Sequence, residues 1–191
     1  MMRDFIYSFI PIFVAIDIGG LIPVYLSLTK DLTLKQKRHV SLQALVTAFL
    51  ISVAFVLAGQ LIFRVLGITP SDFQIGGGLL LLVLAILEMV RGEHQLGPSG
   101  VQVGVVPLGI PLIVGPAVLT SLLILINLHG YVLTLIALMA NLFLVALAFL
   151  LSQRLVKWVG QNGLRASSQV VSLFLVAIAV SMIRRGFVSL R

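Results

Sequence analysis

The stretch Pro11-Ile12-Phe13-Val14-Ala15-Ile16-Asp17-Ile18-Gly19-Gly20-Leu21-Ile22-Pro23 decides the fold of this chain. Pro107-Leu108-Gly109-Ile110-Pro111-Leu112-Ile113-Val114-Gly115-Pro116 repeats its message in the second half. Both lie inside long apolar segments, where a helix tolerates neither residue type without a reason. Proline removes a backbone donor and clashes with the preceding turn, and glycine is about 1 kcal/mol worse than alanine in a helix interior. In hydrocarbon a freed amide or carbonyl persists only where protein, a cavity or a bound solute satisfies it. Two such breaks, at corresponding places in two halves of one chain, mark the binding site of a carrier with discontinuous helices.

The remaining sequence is that of an integral membrane protein. Of 191 residues, 60% are hydrophobic and 10% charged, with mean hydropathy +1.18. A soluble domain is nearer half apolar and about a quarter charged. Between Asp4 and Lys30 the only charge is Asp17, and residues 39–63 carry none. Residues 94–153 form a run of 60 positions without Asp, Glu, Lys or Arg, divided by Asn127-Leu128-His129-Gly130-Tyr131. Roughly 20 apolar residues cross a bilayer core, so that run reads as two helices and a short turn. We read an all-α fold of six spans, at about 5–29, 40–64, 72–91, 105–127, 131–152 and 166–187. Thr69-Pro70-Ser71-Asp72 reads as a turn with an N-cap opening the third span. Gly160-Gln161-Asn162-Gly163 reads as a break before the sixth.

The net charge of +7 does not argue for nucleic acid, which needs lysines and arginines gathered on one folded face. Here they fall between spans. Lys30, Lys35, Lys37, Arg38, Arg91, Arg154, Lys157 and Arg165 share one side; Arg3, Arg64, Arg184, Arg185 and Arg191 share the other. The positive-inside rule then puts both termini outside, and a multi-pass protein of the cell (inner) membrane is expected. Absence of cysteine excludes disulfides and thiol chemistry. The N-terminus looks superficially like a signal peptide, but Asp17 and two prolines interrupt it, and it reads as a retained first helix.

Three spans per half force the second half to enter the membrane in the opposite sense, so a duplication here would be an inverted repeat, residues 1–95 and 96–191. Pro11 and Gly19 match Pro107 and Gly115 at an offset of 96, and Ala85, Arg91 and Gly92 match Ala179, Arg185 and Gly186 at 94.

These residues resemble those of the MarC-related family, described as six-span transporters of neutral amino acids, over nearly the whole chain. The family's first helix reads approximately Asp-Pro-x-Gly-x-x-Pro, where Asp17-Ile18-Gly19-Gly20-Leu21-Ile22-Pro23 stands here. Its fourth reads Val-Pro-Leu-x-x-Pro-x-x-x-Gly-Pro, matched by Val106 to Pro116, and its Ile-Ala-Gly-Gly corresponds to Ile75-Gly76-Gly77-Gly78. Ile18 replaces a family proline, and Gln74 and Gln169 replace arginines near the starts of the third and sixth helices. The resemblance implies transport of small neutral amino acids such as glycine and alanine, with no cofactor beyond a possible coupling ion, H+ or Na+.

Asp17 is an intramembrane carboxylate, a functional candidate by default; it also suits capping of a half-helix by accepting from amides near Gly19 and Gly20. A substrate ammonium, a proton or a cation would suit it as partner. Pro116 at a first helical position wastes no donor, so the amides of Ala117, Val118 and Leu119 would point into the break as an anion site; the bland reading is a packing kink. Pro11, Pro23, Pro107 and Pro111 are expected to break their helices. Gly76, Gly77 and Gly78 suit close helix packing beside the site. Gln74, Thr120, Asn141 and Gln169 are expected around it, although each alone also suits an interhelical hydrogen bond. The walls read as glycine, alanine, proline and isoleucine, with no arginine or lysine at mid-depth.

His39, His94 and His129 lie at span ends or loops without metal-ligand spacing, and no nucleophile elbow is present, so catalysis is not expected. A channel or exporter for another small polar solute is the alternative, since broken helices also line pores. A scaffold would tolerate substitution of Asp17 and Gly115.

Overall fold

In the computed structural model, residues 2–29, 32–91 and 104–189 are described, without the side chains of residue 84, 87–91, 153–172, 174 and 175. All the regular structure among them is helical. The elements are α1 (Met2–Ile16), α2 (Ile18–Leu28), α3 (Leu34–Leu66), α4 (Pro70–Arg91), a wide π segment (Val105–Ile113), α5 (Pro116–His129) and α6 (Tyr131–Ser189).

Each boundary has a local cause. Thr33 and Gln36 close a reciprocal capping box on α3, so the helix starts several residues before the expected span. Gly67, at φ 64°, ends it: a left-handed residue there lets its amide and that of Ile68 reach Phe63 O. Thr69 and Asp72 bond reciprocally across Pro70 at the start of α4, as the sequence predicts. Gly130 alone separates α5 from α6.

Helix faces divide by neighbour. Along α3, Val40, Ala44, Ala48, Ser52, Val56, Gly59 and Phe63 are buried, while Leu42, Val46, Leu50, Leu57 and Leu61 are exposed. An apolar outer face of that length suits lipid, because soluble monomers rarely expose contiguous apolar patches beyond a few hundred Å². Among the described residues, α3 and Tyr131–Ser152 are each long and apolar enough to cross a bilayer. The pairs α1/α2 and π segment/α5 qualify when each is taken as one bent span, giving two to four candidate crossings.

The core forms where α1, α2, α3, the π segment, α5 and the first part of α6 meet around Ile12, Tyr25, Ala48, Leu108, Leu122 and Leu138. Tyr25 stacks on Phe149 with ring centroids 4.0 Å apart, and its hydroxyl lies 3.0 Å from Ser41 Oγ. Asn141, fully buried, donates to Phe9 O and Ala137 O and so ties α6 to α1. Val24, Leu81, Ala85 and Ala179 form a second, smaller cluster between α2, α4 and the far arm of α6.

Gly160–Gly163, expected as a break before the sixth span, carry helical backbone within α6. Glycine weakens a helix by about 1 kcal/mol without by itself ending it. Yet α6 is not straight. Phe149 stacks on Tyr25, while Ile178 lies against Gly20, five residues earlier in the chain. A straight helix would hold Phe149 and Ile178 about 43 Å apart, so α6 turns back between them. Its far arm packs on α4, with Gly78 against Ala179 and Ile183 and Gly186 against Ser71 and Ile75. Together with Gln60–Asn127, these contacts bring the ends of α3, α5 and α6 to the start of α4, where Arg64, Arg184 and Arg185 sit.

Candidate functional site

The first break is one residue wide. Asp17 adopts φ 49°, ψ 64°, the only positive φ at a non-glycine residue among those described. Left-handed backbone is disfavoured for most side chains, and aspartate and asparagine tolerate it best. Asp17 Oδ1 accepts from Gly20 N–H at 3.2 Å, making the residue the N-cap of α2. The helices meet there at 41°. The prolines expected to break this span do not: Pro11 lies inside α1 and Pro23 inside α2. The strained cap midway between them ends one helix and starts the next.

The second break is spread over many residues. Val106 and Ile110, each preceding a proline, are extended within the π segment, as expected where the proline ring excludes the helical region for its neighbour. Both Val106–Pro107 and Ile110–Pro111 are cis. Gly115 is extended and caps α5, whose first residue is Pro116, and segment and helix meet at 50°. Gly115 is tightly placed: a Cβ there would fall 2.5 Å from Pro111 O.

The two breaks face one cavity of about 330 Å³. Ala15, Ile16 and Asp17 line it from the first break, and Pro111, Leu112, Gly115 and Ala117 from the second. Gln74 and Leu81 of α4 also line it. So do Ile178, Ser181, Met182 and Arg185 on the arm of α6 that packs beside α4, spaced i, i+3, i+4 and i+7 on one helical face. The volume is at the lower end of the roughly 300–1,000 Å³ typical of small-ligand sites.

Of the sequence-predicted residues, Asp17, Gly115, Ala117, Gln74 and Pro111 come together in this lining, and Ile18, Gly19, Gly20, Pro116 and Val118 do not. The anion site after Pro116 is narrower than expected. Val118 and Leu119 N–H both donate to Gly115 O, at 3.0 and 3.1 Å, which leaves Ala117 N–H at the cavity wall. Gly77 supports the site from behind, where a Cβ would run into the ring of Pro116; Gly78 packs on α6, and Gly76 has nothing within 4 Å. Thr120 turns back to Pro116 O and Ala117 O, and Asn141 serves as an interhelical tie. The Gln169 side chain is outside the described residues.

Arg185 is the main addition. The sequence groups it with the charges that set topology and reads no arginine or lysine at mid-depth. The structure places Arg185 in the cavity lining with Asp17. Ser181, Met182 and Ile178 were missed as well. The detectable signal was their stripe on the last helix, ending in a charge.

A profile of the MarC family of integral membrane proteins matches residues 2–190. A membrane protein of Aquifex aeolicus is 30% identical over 203 residues, covering 97% of this chain and 93% of its own. One from Methanocaldococcus jannaschii is 29% identical, covering 97% and 96%. YhgN of Escherichia coli, an inner membrane protein by name, is 28% identical with the same coverage. No solved structure matches.

Proposed function

We propose that this chain, which belongs to the MarC family of integral membrane proteins, is a secondary transporter of small neutral amino acids such as glycine and alanine. The observation that carries the reading is the meeting of two helix breaks in one cavity with an exposed carboxylate, Asp17, in its wall. Broken helices with half-helix ends aimed at a shared site are the arrangement secondary carriers use for polar substrates. Asp17 takes the substrate ammonium, and the wall around Gly115 and Ala117 admits a small side chain. A charged side chain would remain unpaired in a low-dielectric site, which amounts to a penalty of several kcal/mol.

In this reading the chain forms six crossings as a 3+3 inverted repeat, residues 1–95 and 96–191, with the first and fourth discontinuous. The two bent pairs and the return of α6 onto α4 support it. The protein sits in the cell (inner) membrane with both termini outside, and H+ or Na+ is the coupling ion. It performs no chemistry on its substrate.

Reconstitution into liposomes tests this. Labelled alanine should show saturable uptake, counterflow against internal unlabelled alanine and dependence on a proton or sodium gradient. Glycine and serine should compete; glutamate, lysine and arginine should not. Flux that never saturates and shows no counterflow would establish a pore instead.

A further inference from the structure

Arg185 and Asp17 are opposite charges on one cavity. Asp17 makes one side-chain hydrogen bond, to its own cap, and Arg185 makes none and no ion pair among the described residues. Their positions differ along α6. Ile178 Cδ1 lies 3.1 Å from where a Gly20 Cβ would sit, beside the Asp17 cap. Arg185 is two turns further, about 10 Å along the helix, next to Gly186, which rests on Ser71 and Ile75 at the start of α4. Asp17 and the backbone of Arg185 therefore lie at different levels along α6, and Ser181 and Gln74 line the cavity with them.

We propose that Arg185 is a substrate-binding and specificity-determining residue, holding the carboxylate of a zwitterion whose ammonium faces Asp17. This rests on the transport reading above and refines it. Guanidinium binds carboxylate through two parallel, charge-assisted hydrogen bonds, a stronger anchor than the lone Ala117 amide left at the second break. One cation and one anion also make the cavity neutral overall, which matches a zwitterion and leaves no partner for a third charge. The competing explanation is an interfacial arginine that extends its head to lipid phosphates, as long basic side chains do near helix ends.

The chain has no cysteine, so a single Ser181→Cys reports occupancy of the cavity through its rate of modification by a neutral thiol reagent in proteoliposomes. The probes are alanine, propionate as carboxylate alone and ethylamine as ammonium alone. Alanine and propionate should both slow labelling. Adding Arg185→Gln should abolish protection by propionate and raise the half-protecting alanine concentration about tenfold or more, the equivalent of one charge-assisted bond. Ethylamine protection should be unchanged, which certifies the fold, and Arg185→Lys should restore part of the propionate effect. If Ser181→Cys does not react, Ala15→Cys in the α1 part of the lining serves as the reporter. Propionate protection that is absent in the presence of Arg185, or that survives Arg185→Gln, overturns the proposal. Propionate protection lost with Arg185→Gln while alanine never protects would uphold the carboxylate site and refute the amino-acid reading.

Discussion

The two breaks bend their helices by similar angles, 41° and 50°, through opposite means. The first depends on a single residue: Asp17 takes a left-handed backbone and supplies the oxygen that caps the next helix. The second is distributed from Val105 to Pro116, through extended residues before prolines and a glycine cap without a side-chain bond. The first thus places a charge at the point of greatest strain, and the second offers backbone and small side chains. One side of the cavity is chemically specific and fragile, whereas the other is sterically specific and redundant.

The comparison predicts unequal responses to substitution. The largest effect should come from Asp17→Asn, which keeps an oxygen for Gly20 N–H and tolerates left-handed backbone but removes the charge. Alanine transport in proteoliposomes should fall by about tenfold or more, with thermal stability close to that of the parent. Wild-type transport would show that the charge is dispensable. Asp17→Ala removes the cap and leaves an unsuited residue at positive φ, so unfolding in detergent should show a loss of about 2–3 kcal/mol. Next comes Gly77→Val, whose side chain would invade Pro116 and should destabilise by about 1–3 kcal/mol. Gly76→Val, facing open space, should stay within about 0.5 kcal/mol; equal effects at both glycines would contradict the seating of α4 on the second break. Pro116→Ala should likewise be mild, at less than about 1 kcal/mol, because position N1 needs no donor and neighbouring distortions hold the bend.

How far the sequence reveals this depends on the type of signal. Proline, glycine and a lone aspartate in an apolar run announce both breaks, since nothing else stabilises them there. The capping role read for Asp17 is found at the parting of α1 and α2; what the sequence does not reveal is that the helices pass through Pro11 and Pro23. Arg185 and its stripe escaped notice for a different reason. In a membrane helix, lipid-facing and protein-facing residues are both apolar, so hydropathy does not say which face meets the cavity. An arginine near a span end then reads as a topology signal. The return of α6 onto α4 is a tertiary fact, set by Gly78 and Gly186 admitting close approach.

The central claim is that both breaks bound one binding site. Ala15→Cys beside the first and Ala117→Cys beside the second, each alone in the cysteine-free chain, test it by alanine protection against a neutral thiol reagent in proteoliposomes. The account predicts that alanine protects both positions with the same half-protecting concentration. Protection at one position only, or at two clearly different concentrations, would contradict it.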